Sequence, residues 1–178
     1  MDLATTLRVT LNCEATKTAD LAGTPVSEPI ITLSDTLDDG TGADQADIVY
    51  FDSGTMVASA DLSLDLAGTL SDVYGDTVTA VRVKAIAVKN TSTTASVLKL
   101  GGGTGDAGTN AFASWLHRSG TSAAGSEGVL IRPGGVFLLW APGATGYAVT
   151  AGTGDILMLQ EQSTLAAAYE LMIVMTTA

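Results

Sequence analysis

The sequence predicts an all-β protein, an antiparallel β-sandwich or barrel with little helix, and three observations carry that reading. Apolar and polar residues alternate with period two in several segments. Turn-forming clusters punctuate the chain. From residue 96 onward a strand-like segment recurs about every ten residues, the spacing of a sandwich or barrel. Helix is expected only as a turn or two at residues 66–73 and 111–117, because neither stretch sustains a helical apolar stripe.

The alternation justifies the strands one by one. Leu7, Val9, Leu11 and Cys13 alternate with Arg8, Thr10, Asn12 and Glu14, which places one set on a dry face and the other on a wet face. The same code recurs at Leu62, Leu64 and Leu66 against Asp61, Ser63 and Asp65. It recurs again at Tyr169, Leu171, Ile173 and Met175 around Glu170. These segments read as half-buried antiparallel strands. Residues 78–88, 136–141 and 156–159 are apolar on both sides and are expected to be central, covered strands, with Trp140 in the core. Asp39-Gly40, Gly101-Gly102-Gly103, Pro133-Gly134-Gly135, Pro142-Gly143 and Gly152-Thr153-Gly154-Asp155 supply the turns between strands.

At 178 residues the chain fits one domain spanning 1–178. The softest boundary is an acidic loop at 33–47, which would set off residues 1–33 as an N-terminal strand or arm. Charged residues are only 15% of the chain against 46% apolar, so part of the surface is expected to be covered by a partner. The net charge of −11 is uneven: residues 1–76 hold 14 acids and 2 bases, residues 77–178 hold 5 acids and 6 bases. Such a field keeps a protein soluble and disfavours nucleic acid and anionic membrane, while a basic partner or divalent cations would suit it. Cys13 is the only cysteine, so neither an intrachain disulfide nor a cysteine zinc cluster can form. Neither a signal peptide nor an apolar run long enough for a membrane span is present, and the expectation is a protein made in the cytoplasm.

Four patterns could carry chemistry. Asp52-Ser53-Gly54-Thr55 after an apolar stretch has the letters of an aspartic-protease carboxylate, but that chemistry needs two aspartates sharing a proton and only one copy occurs. Gly103-Thr104-Gly105-Asp106-Ala107-Gly108 has the letters of a dinucleotide fingerprint without the long helix that would meet pyrophosphate. Asp35, Asp38, Asp39, Asp44 and Asp47 form the one candidate calcium cluster, at a spacing unlike an EF-hand. His117 is the only histidine and has no adjacent nucleophile elbow. No catalytic residue and no cofactor is therefore expected, and Leu7, Val9, Leu11 and Trp115 are the candidate interface residues.

A resemblance adds to this reading. Residues 83–100, Val-Lys-Ala-Ile-Ala-Val-Lys-Asn-Thr-Ser-Thr-Thr-Ala-Ser-Val-Leu-Lys-Leu, run into Gly-Gly-Gly; residues 129–142 read Val-Leu-Ile-Arg-Pro-Gly-Gly-Val-Phe-Leu-Leu-Trp-Ala-Pro. With Gly-Tyr-Ala-Val-Thr-Ala-Gly-Thr-Gly-Asp-Ile-Leu-Met-Leu at 146–159 and a last strand from Tyr169 to Met175, this resembles small virion structural proteins of tailed bacteriophages, over roughly residues 60–178. The resemblance implies a jelly-roll or tulip sandwich, commonly a homotrimer, without catalytic residues. It further implies a decoration or cement subunit on the capsid exterior that binds the major capsid protein and stabilises the shell. A tail or baseplate protein is the alternative within that class. A receptor- or glycan-binding module, with Trp115, Tyr147 and Tyr74 lining a groove, is the alternative outside it.

Overall fold

Where apolar residues recur every second position and glycine-rich turns separate them, the chain folds into strands. The computed structural model describes residues 2–17, 26–102, 110–116 and 127–178, and among these there is no helix. The glycine fingerprint at 103–108 and His117 lie outside the described residues. Residues 66–69 form turns, and so do Ser114 and Trp115.

Two sheets face each other across one core. The first runs in the order β6 (Ile48–Met56), β14 (Ala167–Thr176), β8 (Arg82–Asn90), β11 (Val136–Trp140); the two-residue β12 (Tyr147–Ala148) pairs with β8 beyond the end of β11. The second runs β7 (Asp61–Asp65), β13 (Ile156–Glu161), β9 (Leu98–Gly101), β10 (Gly128–Ile131). All pairings within both sheets are antiparallel. Counted through the body without β12, the strands of one sheet are first, eighth, third and sixth, and of the other second, seventh, fourth and fifth. Most connections therefore cross from one sheet to the other.

The predicted alternations fill the core. Tyr169, Leu171, Ile173 and Met175 of β14 point inward with Val83, Ile86 and Val88 of β8, and meet Leu64, Leu98, Leu100, Leu157 and Leu159 from the facing sheet. Phe112, fully buried, enters from residues 110–116; its N–H donates to the Ile156 carbonyl at 2.8 Å. Asn90 is also fully buried and ends β8. Its Nδ2 donates to the carbonyls of Ser96 (3.2 Å) and Ile131 (3.0 Å), and its Oδ1 accepts from the Ser92 N–H (3.1 Å). One side chain thus satisfies the backbone where the Asn-Thr-Ser turn leaves the sheet, as a buried polar group must. Gly101 is needed where β9 meets β10: at φ +156°, an added Cβ would stand 2.6 Å from Gly128 Cα and closer still to the Glu127 carbonyl oxygen.

The structure corrects three expectations. Residues 33–39 are not loop: β4 (Ile30–Asp39) pairs with β1 (Thr5–Asn12) from Ile30 to Leu37, because Ile31, Leu33 and Leu37 continue a period-two pattern that Asp35 interrupts. The segment 78–81 precedes the strand rather than opening it; Val78 and Ala80 bond to Leu70 and Leu66 across a turn region. Strand β11 is an edge strand and not a covered one, with Val136 exposed.

Candidate interaction surface

β1 and β4 form a two-stranded ribbon that continues through β2 (Ala15–Thr16) and β3 (Val26–Ser27). The register places Val9 opposite Leu33, Leu11 opposite Ile31 and Leu7 opposite Asp35 on one face, and Arg8, Thr10, Ser34 and Thr32 on the other. One face is therefore apolar. Leu7 and Val9 are half-buried, but Leu11 (63%), Ile31 (59%) and Leu33 (53%) are exposed, a large apolar surface for a two-stranded element that carries no core of its own.

Only the root of the ribbon is packed. Leu37 at the end of β4 and Ala46 of β5 (Gln45–Ala46), which pairs in parallel with β4, are buried against Ala85 and Val174 on the outer face of the β6-β14-β8-β11 sheet. Leu3, Val49 and Trp140 border this small cluster. Trp140 is thus half-buried beneath the ribbon and not in the main core; its Nε1 donates to Asp35 Oδ2 at 2.7 Å.

Lys84 fixes the same root from the sheet side. Between Val174 and Met175 the register of β14 on β8 shifts so that Ala85 and Val83 are paired and Lys84 is the extra, bulged residue. On the opposite edge, the turn at Pro142 and Gly143 interrupts the ladder between β11 and β12. The Lys84 ammonium occupies that interruption, fully buried, donating to the carbonyls of Gly143 (2.5 Å), Gly42 (3.0 Å) and Pro142 (3.4 Å). Burial lowers its pKa below the ordinary lysine value, nearby Arg82 adds to the lowering, and Asp44 opposes it. The Asp44 N–H, in a left-handed conformation at φ 55°, donates to the Pro142 carbonyl at 2.8 Å, so backbone and side chain clamp the same two loops.

The five aspartates of the candidate calcium cluster are spread over this root with separate tasks. Asp35 accepts from Trp140; Asp39 Oδ1 accepts from the Leu3 N–H at 3.1 Å; Asp47 Oδ1 accepts from the Thr177 N–H at 2.9 Å. The Asp38 N–H donates to the Asp44 carbonyl at 2.8 Å. Among the described residues no group of three or more potential ligands converges as a metal site.

Other singled-out residues are also engaged elsewhere. Asp52 Oδ2 accepts from the Tyr169 hydroxyl at 2.8 Å, and the Tyr169 pKa is raised, first by burial and then by the hydrogen bond and charge of Asp52. Trp115 lies against Phe137 at the border of the main core, ring centroids 5.4 Å apart, with its Nε1 donating to the Phe112 carbonyl. Tyr74, by contrast, is exposed.

No family model, no curated protein and no solved structure matches this chain. The chain's own surface is then the guide. Of the sequence-predicted interface residues, Leu7, Val9 and Leu11 are brought together on the ribbon and Trp115 is not. Sequence reasoning missed Ile31 and Leu33, their partners across the ribbon. It also missed a second apolar strip, Leu138, Met172 and Phe51, on the outer sheet face.

Proposed function

We propose that this chain is a non-catalytic structural subunit of a tailed-phage virion, a decoration or cement protein that binds the major capsid protein on the outer lattice and stabilises the shell. The observation that carries the reading is the ribbon: an apolar face that the chain builds, anchors at its root, and leaves uncovered. A surface of that kind suits a subunit that works by contact. The sparse charge agrees with it. The strand order described above agrees with a jelly roll, an architecture found in viral capsid and lectin domains, and so supports the fold that the phage resemblance implies. The homotrimer, the capsid partner and the exterior location come from the resemblance.

Particles assembled without the protein are expected to lose DNA or break at lower temperature than intact particles, and to regain tolerance when purified protein is added back. Equal tolerance with and without it would remove the stabilising role. Deletion of residues 2–16, which takes away β1 and β2, is expected to lower occupancy on the shell. Unchanged occupancy would rule out the ribbon as the assembly element.

A further inference from the structure

The ribbon face and the outer face of the β6-β14-β8-β11 sheet are already complementary within one chain. Along that sheet the register sets Trp140, Ala85, Val174 and Val49 in one cross-strand row, and Leu138, Ala87, Met172 and Phe51 in the next. Leu37 of the ribbon covers the first row. The second is open, with Leu138 at 38%, Met172 at 41% and Phe51 at 48% exposure. Ala87 is small, and a shallow groove of about 220 Å³ opens beside it, lined by Met172 and Phe51 of this row and by Val136, Lys89 and Glu170 of the next.

The ribbon does not cover this groove in its own chain. Leu37 sits over β8 and β14, whereas Asp35, two residues back, is tied to Trp140 on the edge strand β11. From there the ribbon runs off that edge, and Leu33, Ile31 and Leu11 stand exposed beyond it.

We infer that the open part of the ribbon from one copy lies in the Leu138–Ala87–Met172–Phe51 row of a second copy, so that copies are joined by exchanged arms. Continuity identifies the occupant. The covered and open ends of the ribbon are one apolar face, and the covered and open rows of the sheet are one apolar surface. A second ribbon laid beside the first extends a contact this chain already makes, with the same residue types on both sides. Lys89 and Glu170, which flank the open row, lie 3.8 Å apart and offset one another. Because each copy carries both the ridge and the groove, the contact closes as a reciprocal two-fold pair or as a ring. This deepens the reading of the ribbon as an assembly element. Either closed assembly presents several shell-binding surfaces at once, so losing the ribbon lowers occupancy through lost avidity.

Cys13 is the only cysteine, which makes the test clean. In a Cys13→Ser background, Leu11→Cys and Met172→Cys proteins are prepared separately and then mixed under mild oxidation. The expected result is a disulfide-linked pair in the mixture and little in either protein alone, while the intact chain sediments at a multiple of 18.0 kDa. Phe51→Asp should return the sedimenting species to the single-chain mass with its melting temperature kept. An intact chain that sediments as a single copy, with no mixed disulfide, overturns the inference. If that single copy still decorates shells in a way that needs residues 2–16, the ribbon's occupant is the shell and the proposed function stands. If removing residues 2–16 leaves decoration unchanged while the mixed disulfide forms, the ribbon joins copies and its role in attachment falls.

Discussion

The sandwich body and the N-terminal ribbon use one code and reach opposite results. Ile173 in β14 and Ile31 in β4 are each the apolar partner in a period-two strand; Ile173 is fully buried between two sheets, and Ile31 is 59% exposed on a ribbon with nothing above it. Alternation specifies which face of a strand is dry. It does not specify what dries it. In the body the second sheet belongs to the same chain, and in the ribbon it must come from elsewhere.

The sharpest way to break this comparison is to truncate the matched pair. Ile173→Ala should cost about 2–5 kcal/mol of unfolding free energy, the range for a fully buried aliphatic side chain, whereas Ile31→Ala should cost less than about 0.5 kcal/mol in dilute protein. Urea denaturation of both variants checks it. Similar losses would mean that the ribbon face is covered within the chain.

Asn90→Ala comes next. It leaves two buried carbonyls and one N–H without the partner they have now, at a cost of about 1–3 kcal/mol measured the same way. Trp140→Phe keeps a ring under the ribbon but removes the hydrogen bond to Asp35. A loss of about 1 kcal/mol is expected, with faster amide exchange confined to the ribbon root. Exchange that speeds up throughout the body would show that Trp140 supports the core rather than the ribbon.

The smallest expected effect is on pH dependence. Burial tends to raise the Glu161 pKa, but hydrogen bonds from the Ser163 hydroxyl and the N–H groups of Ser59 (2.8 Å) and Ser163 (2.7 Å) outweigh it, so the carboxyl titrates below its ordinary value of 4.5. A carboxyl lowered on folding contributes stability that is present above its unfolded pKa and lost as pH falls through the folded one. Melting temperature should therefore drop as pH falls below about 4.5 in the intact protein, and Glu161→Gln should flatten that limb.

Much of the body was legible from residues alone. The alternation at Tyr169, Leu171, Ile173 and Met175 gave both the strand and its buried face. The ribbon was half legible: Leu7, Val9 and Leu11 announced β1, but Asp35, Asp38 and Asp39 disguised β4 as an acidic loop. Two of those acids accept hydrogen bonds at the root, Asp35 from Trp140 and Asp39 from the Leu3 N–H. Lys84 was not legible at all, since its burial depends on being the bulged residue of its own strand and on an interruption in the strand beside it, which no local pattern encodes. The open row was hidden for a different reason. Residues 136–141 are apolar on both faces, which reads as burial, and at Leu138 one face is a surface; Met172 and Phe51 were not singled out.

Hydrogen exchange across a concentration series tests the central claim most directly, because it reads body and ribbon in one sample. The account predicts that amides of β8 and β14 are strongly protected at every concentration. Amides of β1 and β4 beyond Asp35 should be weakly protected in dilute protein and gain protection as concentration rises. Protection of β1 equal to that of β14 at the lowest concentration would contradict it.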